Sequence, residues 1–536
     1  MRLIIIILTL FLTPTIIYSQ APNLGTAVDF VLFSTDGAVS NSGITHLTGN
    51  VGTNNGSSTG FGNVNGGMHD GDATSIQCAT DVMIAYGQLN SATPTNNPAP
   101  MLGNGQTLYA GVHFISSPTT LNLDLILDAQ GDPNAVFIFQ IQGAFSTSAG
   151  SSIELINGAL ACNVFWKVEG LVSMASGTSM KGTIFANNAA IEMNTGDILE
   201  GRAISISGAV TVDGIQGDTP IGCGSPVLTG PLAPDLGAAA CYAIFSSDGA
   251  VTNTGITNIT GDVGSNNGST TGFDPLLVSG EIHPSPDGST AQCASDLTVA
   301  YNYLNLLTDD IELLYPAEFG NDLVLTPHTY IMNGAATFTD SLYLDAQGNS
   351  SAVFVIKING ALSTSTYAKV ILLNGAQAEN VFWKIEGAID INNYSVFCGT
   401  IICNNAALGS ISTGVTLNGR ALTTVGAIST VAMDALPTTV PGNCESVGFS
   451  EQTDIDESFV VYPNPFHESI TFTSNEISMD NRYELRIVNT LGKEVMHSTL
   501  TQTSTVIETN EIPSGMYFYY LINNDKVIQS GKLIAR

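Results

Sequence analysis

The sequence predicts an all-β-dominated chain: two β-solenoids in tandem, each with a long α-helix packed alongside, then a small C-terminal β-sandwich. The first observation behind this is duplication. Ser34-Thr-Asp-Gly-Ala-Val39 returns as Ser246-Ser-Asp-Gly-Ala-Val251, an offset of 212, and Asn163-Val-Phe-Trp-Lys167 returns as Asn380-Val-Phe-Trp-Lys384, an offset of 217. The second is texture. Short runs of Val, Ile, Phe and Thr alternate with Gly and Asn turns, and Phe145 to Ile153, Val172 to Met180 and Ile191 to Leu199 stack at steps of 27 and 19 residues, as in a coil of strands with a loop in one turn. The third is a segment that breaks the texture once per repeat, Ile76 to Leu89 and Ala291 to Leu304. Its apolar residues, such as Val82, Ala85, Tyr86 and Leu89, recur at spacings of three and four, the period of an amphipathic helix.

Taken in order, Met1-Arg2, an apolar run from Leu3 to Leu12 and small polar residues up to Gln20 read as a secretory signal peptide over 1–20, too short to span a membrane. The first solenoid occupies 21–224, a Pro-rich linker 225–235, the second solenoid 236–444, an acidic linker 445–458, and the sandwich 459–536. The last segment holds alternating strands such as Tyr483 to Val488 and Met516 to Ile522, and six of the chain's fourteen basic residues.

A formal charge of −32 with 14 basic residues excludes nucleic acid or an anionic membrane as partner. Only 11% of residues are charged, so Ser, Thr, Asn and Gly must build most of the surface. Export allows disulfides among Cys78, Cys162, Cys223, Cys241, Cys293, Cys398, Cys403 and Cys444. Cys398 and Cys403 have no second close Cys or His pair to complete a zinc site, so stapling of adjacent segments is expected there, with no metal and no cofactor. His69-Asp-Gly-Asp72 reads as a surface loop, Gly49 to Gly56 as turns rather than a phosphate loop, and Trp166 and Trp383 as core. Each repeat has too few basic residues to back an acid/base pair in a groove, and Lys167, Lys384, Arg202 and Arg420 read as structural, so no enzyme is expected.

Leu-Gly-x-Ala at each repeat start, Asn41 to Thr45 with Gly49 to Gly52, Asn253 to Thr257 with Gly261 to Gly264, Asp-Ala-Gln-Gly, Asn-Val-Phe-Trp-Lys and Gly-Arg-Ala together resemble the secreted microbial ice-binding (antifreeze) protein family. The resemblance implies a right-handed, discontinuous solenoid of triangular section and an ice crystal surface as partner. Tyr462-Pro-Asn-Pro465, Gly492-Lys493, Pro513 to Tyr517 and the terminal Lys532 to Arg536 resemble the type A sorting domain of the type IX secretion system. That implies passage through type IX machinery to a released or surface-attached state, without membrane insertion after signal cleavage.

An ice-binding face needs a flat, rigid grid of small side chains bearing methyl and hydroxyl groups. Strand ladders supply one, with spacings of about 4.8 Å between strands and about 6.7 Å along them. Members of the resembled family often carry Thr-Ala/Gly-x-Thr/Asn on this face. The candidates are Ser42, Thr45, Ser176, Thr178 and Thr195 in the first repeat, and Thr254, Thr257, Thr366, Asn393, Thr413 and Thr416 in the second. Residues i and i+3 of a regular strand point to opposite sides, so both threonines of a motif face ice only where the strand bends. The competing reading is an adhesin whose tandem solenoids grip a glycan or another repetitive surface with avidity.

Overall fold

The computed structural model describes residues 20–223, 227–437, 459–474, 483–489, 493–500, 502–510, 512–523 and 526–536. The signal peptide up to residue 19 and the 445–458 linker lie outside these. Two compact units divide the chain near residue 440.

In each repeat every turn contributes strands to three faces, and all the pairings are parallel. One face is an eight-stranded sheet of short strands. In the first repeat it stacks Met101–Gly103, Thr119–Asn122, Phe145–Thr147, Val172–Ser173, Ile191–Met193, Val210–Asp213, Val39–Ser42 and Ser58–Thr59. We call it the polar face. A second face, which includes Phe137–Ile141 and Val164–Val168, lies under the helix. The third includes Asp124–Asp128, Ser152–Ile156 and Gln216–Asp218. The long strands Ser179–Ala186 and Ile198–Ser205 bend from the third face into the helix face.

The chain is discontinuous in the stack. Phe30–Ser34 inserts between Ile198–Ser205 and Asn50–Thr53, and Val39–Ser42 pairs with Val210–Asp213, so the first turns in sequence continue the last ones in space. The second repeat repeats this with Tyr242–Ser246 and Val251–Thr254. A helix carries the chain back to the far end: α1 (Ala73–Ser91) and α2 (Gly288–Leu306). Each starts on an aspartate cap, Asp72 or Asp287, accepting from the backbone three residues on. Each buries a stripe of small residues, Cys78, Val82, Ala85 and Leu89 in α1 and Cys293, Leu297, Ala300 and Leu304 in α2. The C-terminal carbonyls of α1 accept from buried Gln140, and Leu307 O, just after α2, accepts from Lys357, a cation placed where the helix dipole favours one.

Hydrophobic residues of the sheets point inward at alternate positions and fill the coil. In the first repeat His113, Phe139, Trp166 and Phe145 form an aromatic stack, with Phe139 and Trp166 ring centroids 3.9 Å apart. Trp383 holds the matching place in the second, and both indoles donate to a backbone carbonyl. Arg202 donates to Val28 O and Arg420 to Ala240 O, and Lys167 and Lys384 pair with Glu169 and Glu386 beneath the helices, so all four basic residues are structural as expected. Burial would raise Glu169, but hydrogen bonds from Lys167, Tyr86 and Asn187 outweigh it and hold the carboxylate ionised.

Cys162 and Cys223 are disulfide-bonded across 61 residues, and Cys241 is also disulfide-bonded. Cys78, Cys293, Cys398 and Cys403 are free buried thiols. The expected stapling at Cys398 and Cys403 is therefore corrected: both lie on the single strand Val396–Cys403, about 16 Å apart along an extended chain, beyond any disulfide. His69 is likewise no loop residue; it is the central residue of the strand Met68–Asp70 and bonds the helix cap Asp72 at 2.7 Å.

The repeats touch through the last turn of the first. Asn63 exchanges hydrogen bonds with the Tyr315 backbone, Asn65 accepts from the Tyr330 hydroxyl and donates to Thr326, and the linker residue Thr229 accepts from Val353 N. Within the C-terminal unit, antiparallel sheets of three and four strands enclose Phe459, Phe472, Tyr483, Leu485, Leu521 and Leu533, a sandwich as expected. Among the described residues no helix is long and apolar enough to cross a membrane.

Candidate functional site

The motifs chosen from sequence do not lie flat on a sheet; they wrap the corner between the polar face and the third face. Gly43, Gly177, Gly196, Gly255 and Gly414 occupy those corners with φ between 72° and 83°, which only glycine adopts without strain. A bend at the glycine sends the two ends of each motif in different directions. Ser42, Ser176, Thr195, Thr254, Thr366, Asn393 and Thr413 are exposed, whereas Thr45 and Thr416 are half-buried. Thr178 and Thr257 turn inward, at 0% and 2% exposure, and are withdrawn from the candidate face. Thr178 donates to Ala175 O and bonds Thr147 Oγ1, and Thr257 donates to Asn253 Oδ1 at 2.7 Å. Thr45 makes the same bond to Asn41, so this inward threonine fastens the corner in both repeats.

The flat array is the polar face. Its strands alternate: Val39, Val210, Ile191, Val172 and Phe145 point into the core at one register position, and the next residue of each strand points out. The outward row in the first repeat runs Met101, Thr120, Ser146, Ser173, Glu192, Thr211, Ser40, Thr59, each paired with the next. In the second repeat it runs Thr337, Ser363, Asp390, Ser410, Ser429, Thr252, Thr271. A bulge interrupts the second row at Gly409 and Ser410. The three strands at the end carrying the N-terminal turns read Thr211–Ser40–Thr59 in one repeat and Ser429–Thr252–Thr271 in the other, uninterrupted in both.

Of the residues chosen from sequence, Ser42 and Thr254 belong to this face, one alternation further along the strands of Ser40 and Thr252. Thr45 and Thr416 begin the third face; Ser176, Thr195, Thr366, Asn393 and Thr413 form its shared edge. The outward row itself was missed, although the alternation Val-Ser-Asn-Ser at 39–42 and Val-Thr-Asn-Thr at 251–254 carries it. The third face is a poorer grid, since Glu154, Lys181, Glu200 and Asp218 fill one outward row, with Lys181 and Glu200 paired at 2.9 Å.

The family described as Ice-binding-like matches residues 33–216 and 245–435, and the family described as Secretion system C-terminal sorting domain matches residues 460–536. An ice-binding protein of Nostoc sp. (strain HG1) is 38% identical over 194 residues, which cover 35% of this chain and 71% of that protein. One of Colwellia sp is 29% identical over 41% of this chain and 89% of its own length. A crystal structure of an ice binding protein from an Antarctic bacterium of the Flavobacteriaceae is 58% identical, with a TM-score of 0.77, over 78% of this chain and 99% of the other.

Proposed function

Because the chain belongs to the ice-binding-like family and ends in a secretion-system sorting domain, we propose that it is a secreted protein that adsorbs to ice through the polar faces of both solenoids, arresting growth and recrystallisation. The observation that supports this face is the hydroxyl triplet shared by the two repeats, Thr211–Ser40–Thr59 and Ser429–Thr252–Thr271. Parallel ladders hold these groups about 4.8 Å apart in rigid backbone, with Ser42 and Thr254 about 6.7 Å along the strand. Such a grid presets the positions of surface waters before ice arrives, so little ordering entropy remains to oppose adsorption. The threonine methyls limit the ways a bound water can turn, and the hydroxyls anchor it. Neither charge nor cofactor is needed. The C-terminal sandwich is the part that engages the type IX machinery.

Thermal hysteresis of the secreted chain tests the reading. Wild type is expected to hold a gap between melting and freezing that Thr211→Tyr together with Ser429→Tyr removes, because a ring standing on each triplet lifts the face from the lattice. Hysteresis unchanged in that folded variant would place the activity elsewhere.

A further inference from the structure

The corner beside the polar face differs between the repeats in one respect that ice adsorption does not explain. Turn by turn, the left-handed corner position of the first repeat is held by Leu123, Gly150, Gly177, Gly196 and Gly214. The second repeat holds Asp340, Tyr367, Tyr394, Gly414 and Ala432 there. Tyr367 and Tyr394 sit at φ of 63° and 61°, a conformation that costs a bulky residue energy, and both remain exposed, at 61% and 49%. Neither ring fills the core, so burial in the core offers no return for the strain.

The rings are organised. They stack with centroids 5.2 Å apart and planes within 16°. Tyr394 rests on Gly414, where a Cβ would meet its ring at 2.4 Å, so the glycine is its seat. Gly414 and Tyr367 both pack against Tyr394, whereas Tyr367 itself stays largely exposed, and Asp340 holds the same corner position one turn before it. The strand that follows Tyr367 is tied to that turn, Lys369 N donating to Asp340 O. Exposed Thr366 and Asn393 flank the two rings.

We propose that this edge of the second repeat is a binding site for a neutral glycan, separate from the ice-adsorbing face. The exposed ring of Tyr367 takes the apolar C–H face of a pyranose, and Asp340, Thr366 and Asn393 supply acceptors and donors for its hydroxyls, the mix of one aromatic wall and few polar groups that small-molecule sites use. The chain's charge of −32 disfavours an anionic polysaccharide. A protein that binds both ice and a cell-coat or matrix glycan would hold the two together.

Calorimetric titration of the full secreted chain with cellohexaose, chitohexaose and maltohexaose tests the site. Wild type binds at least one of the three; Tyr367→Gly, which installs the residue type the first repeat carries and relieves strain, lowers that affinity about tenfold or more. Tyr367→Phe, which keeps the ring, stays within about threefold of wild type, and Tyr367→Gly leaves thermal hysteresis unchanged, separating this site from the ice face. The proposal is overturned if wild type binds none of the three sugars, if Tyr367→Gly binds as well as wild type, or if that variant loses hysteresis.

Discussion

The two repeats agree inside and diverge outside. Trp166 and Trp383, Lys167–Glu169 and Lys384–Glu386, and the caps Asp72 and Asp287 occupy matching places and make matching bonds. The outward row of the first repeat has unbroken register but carries Met101 and Glu192, while the second, with as many hydroxyls, carries Asp390 and bulges at Gly409. The helix starts also differ: Asn50 stands where the second repeat has Asp262, whose carboxylate, with Asp287, faces His283. A solenoid permits this because inward residues must satisfy a close-packed core, whereas each outward residue answers only to its neighbours above and below.

The largest expected effect tests whether both polar faces act. Ser40→Tyr and Thr252→Tyr should each lower thermal hysteresis by about half, and the double variant should abolish it; loss of all activity in one single variant would assign adsorption to that repeat alone. Next comes the staple. Replacing Cys162 and Cys223 by Ser should cost the first repeat about 4 kcal/mol, the value for closing a loop of this size, and lower its melting transition in calorimetry while leaving that of the second in place.

The third prediction uses the histidine. Burial opposes the charge of His283, but the carboxylate of Asp262, 4.0 Å from Nε2, the hydrogen bond to Asp287 and the nearby Glu281 raise its pKa from 6.5 to about 9. A raised folded pKa gives stability that is complete below 6.5 and lost as pH rises through 9. After solvent screening the loss should be about 1–2 kcal/mol in the second repeat, read as a fall in its melting temperature from pH 6 to pH 10. His283→Gln should flatten that profile. The smallest effect concerns the inward threonine: Thr257→Val leaves Met433 N without its acceptor while Asn253 Oδ1 keeps the bond from Thr430, costing about 1 kcal/mol with hysteresis intact.

Repetition made the fold legible. Motifs recurring at offsets of 212 and 217, two helical segments and Gly/Asn turns leave little but stacked coils, and the core tryptophans follow from their apolar neighbours. The site was half legible. Thr-Gly-x-Thr marks where a chain turns a corner, and whether its second threonine faces water depends on the bend at the glycine, which composition does not encode; hence Thr257 and Thr178 were read outward and lie inward. Cys398 and Cys403 misled for a similar reason, since closeness in sequence on an extended strand is distance in space. The hydroxyl rows were present all along as two-residue alternation, but strands two to four residues long give that period too little room to stand out.

The most direct test compares two faces of one molecule. Thr59→Tyr with Thr271→Tyr burdens the polar face of each repeat, and Lys181→Tyr with Asn418→Tyr burdens the third face, all at surface positions outside the core. Thermal hysteresis should vanish in the first pair and persist in the second; persistence in the first and loss in the second would contradict the assignment of ice adsorption to the polar face.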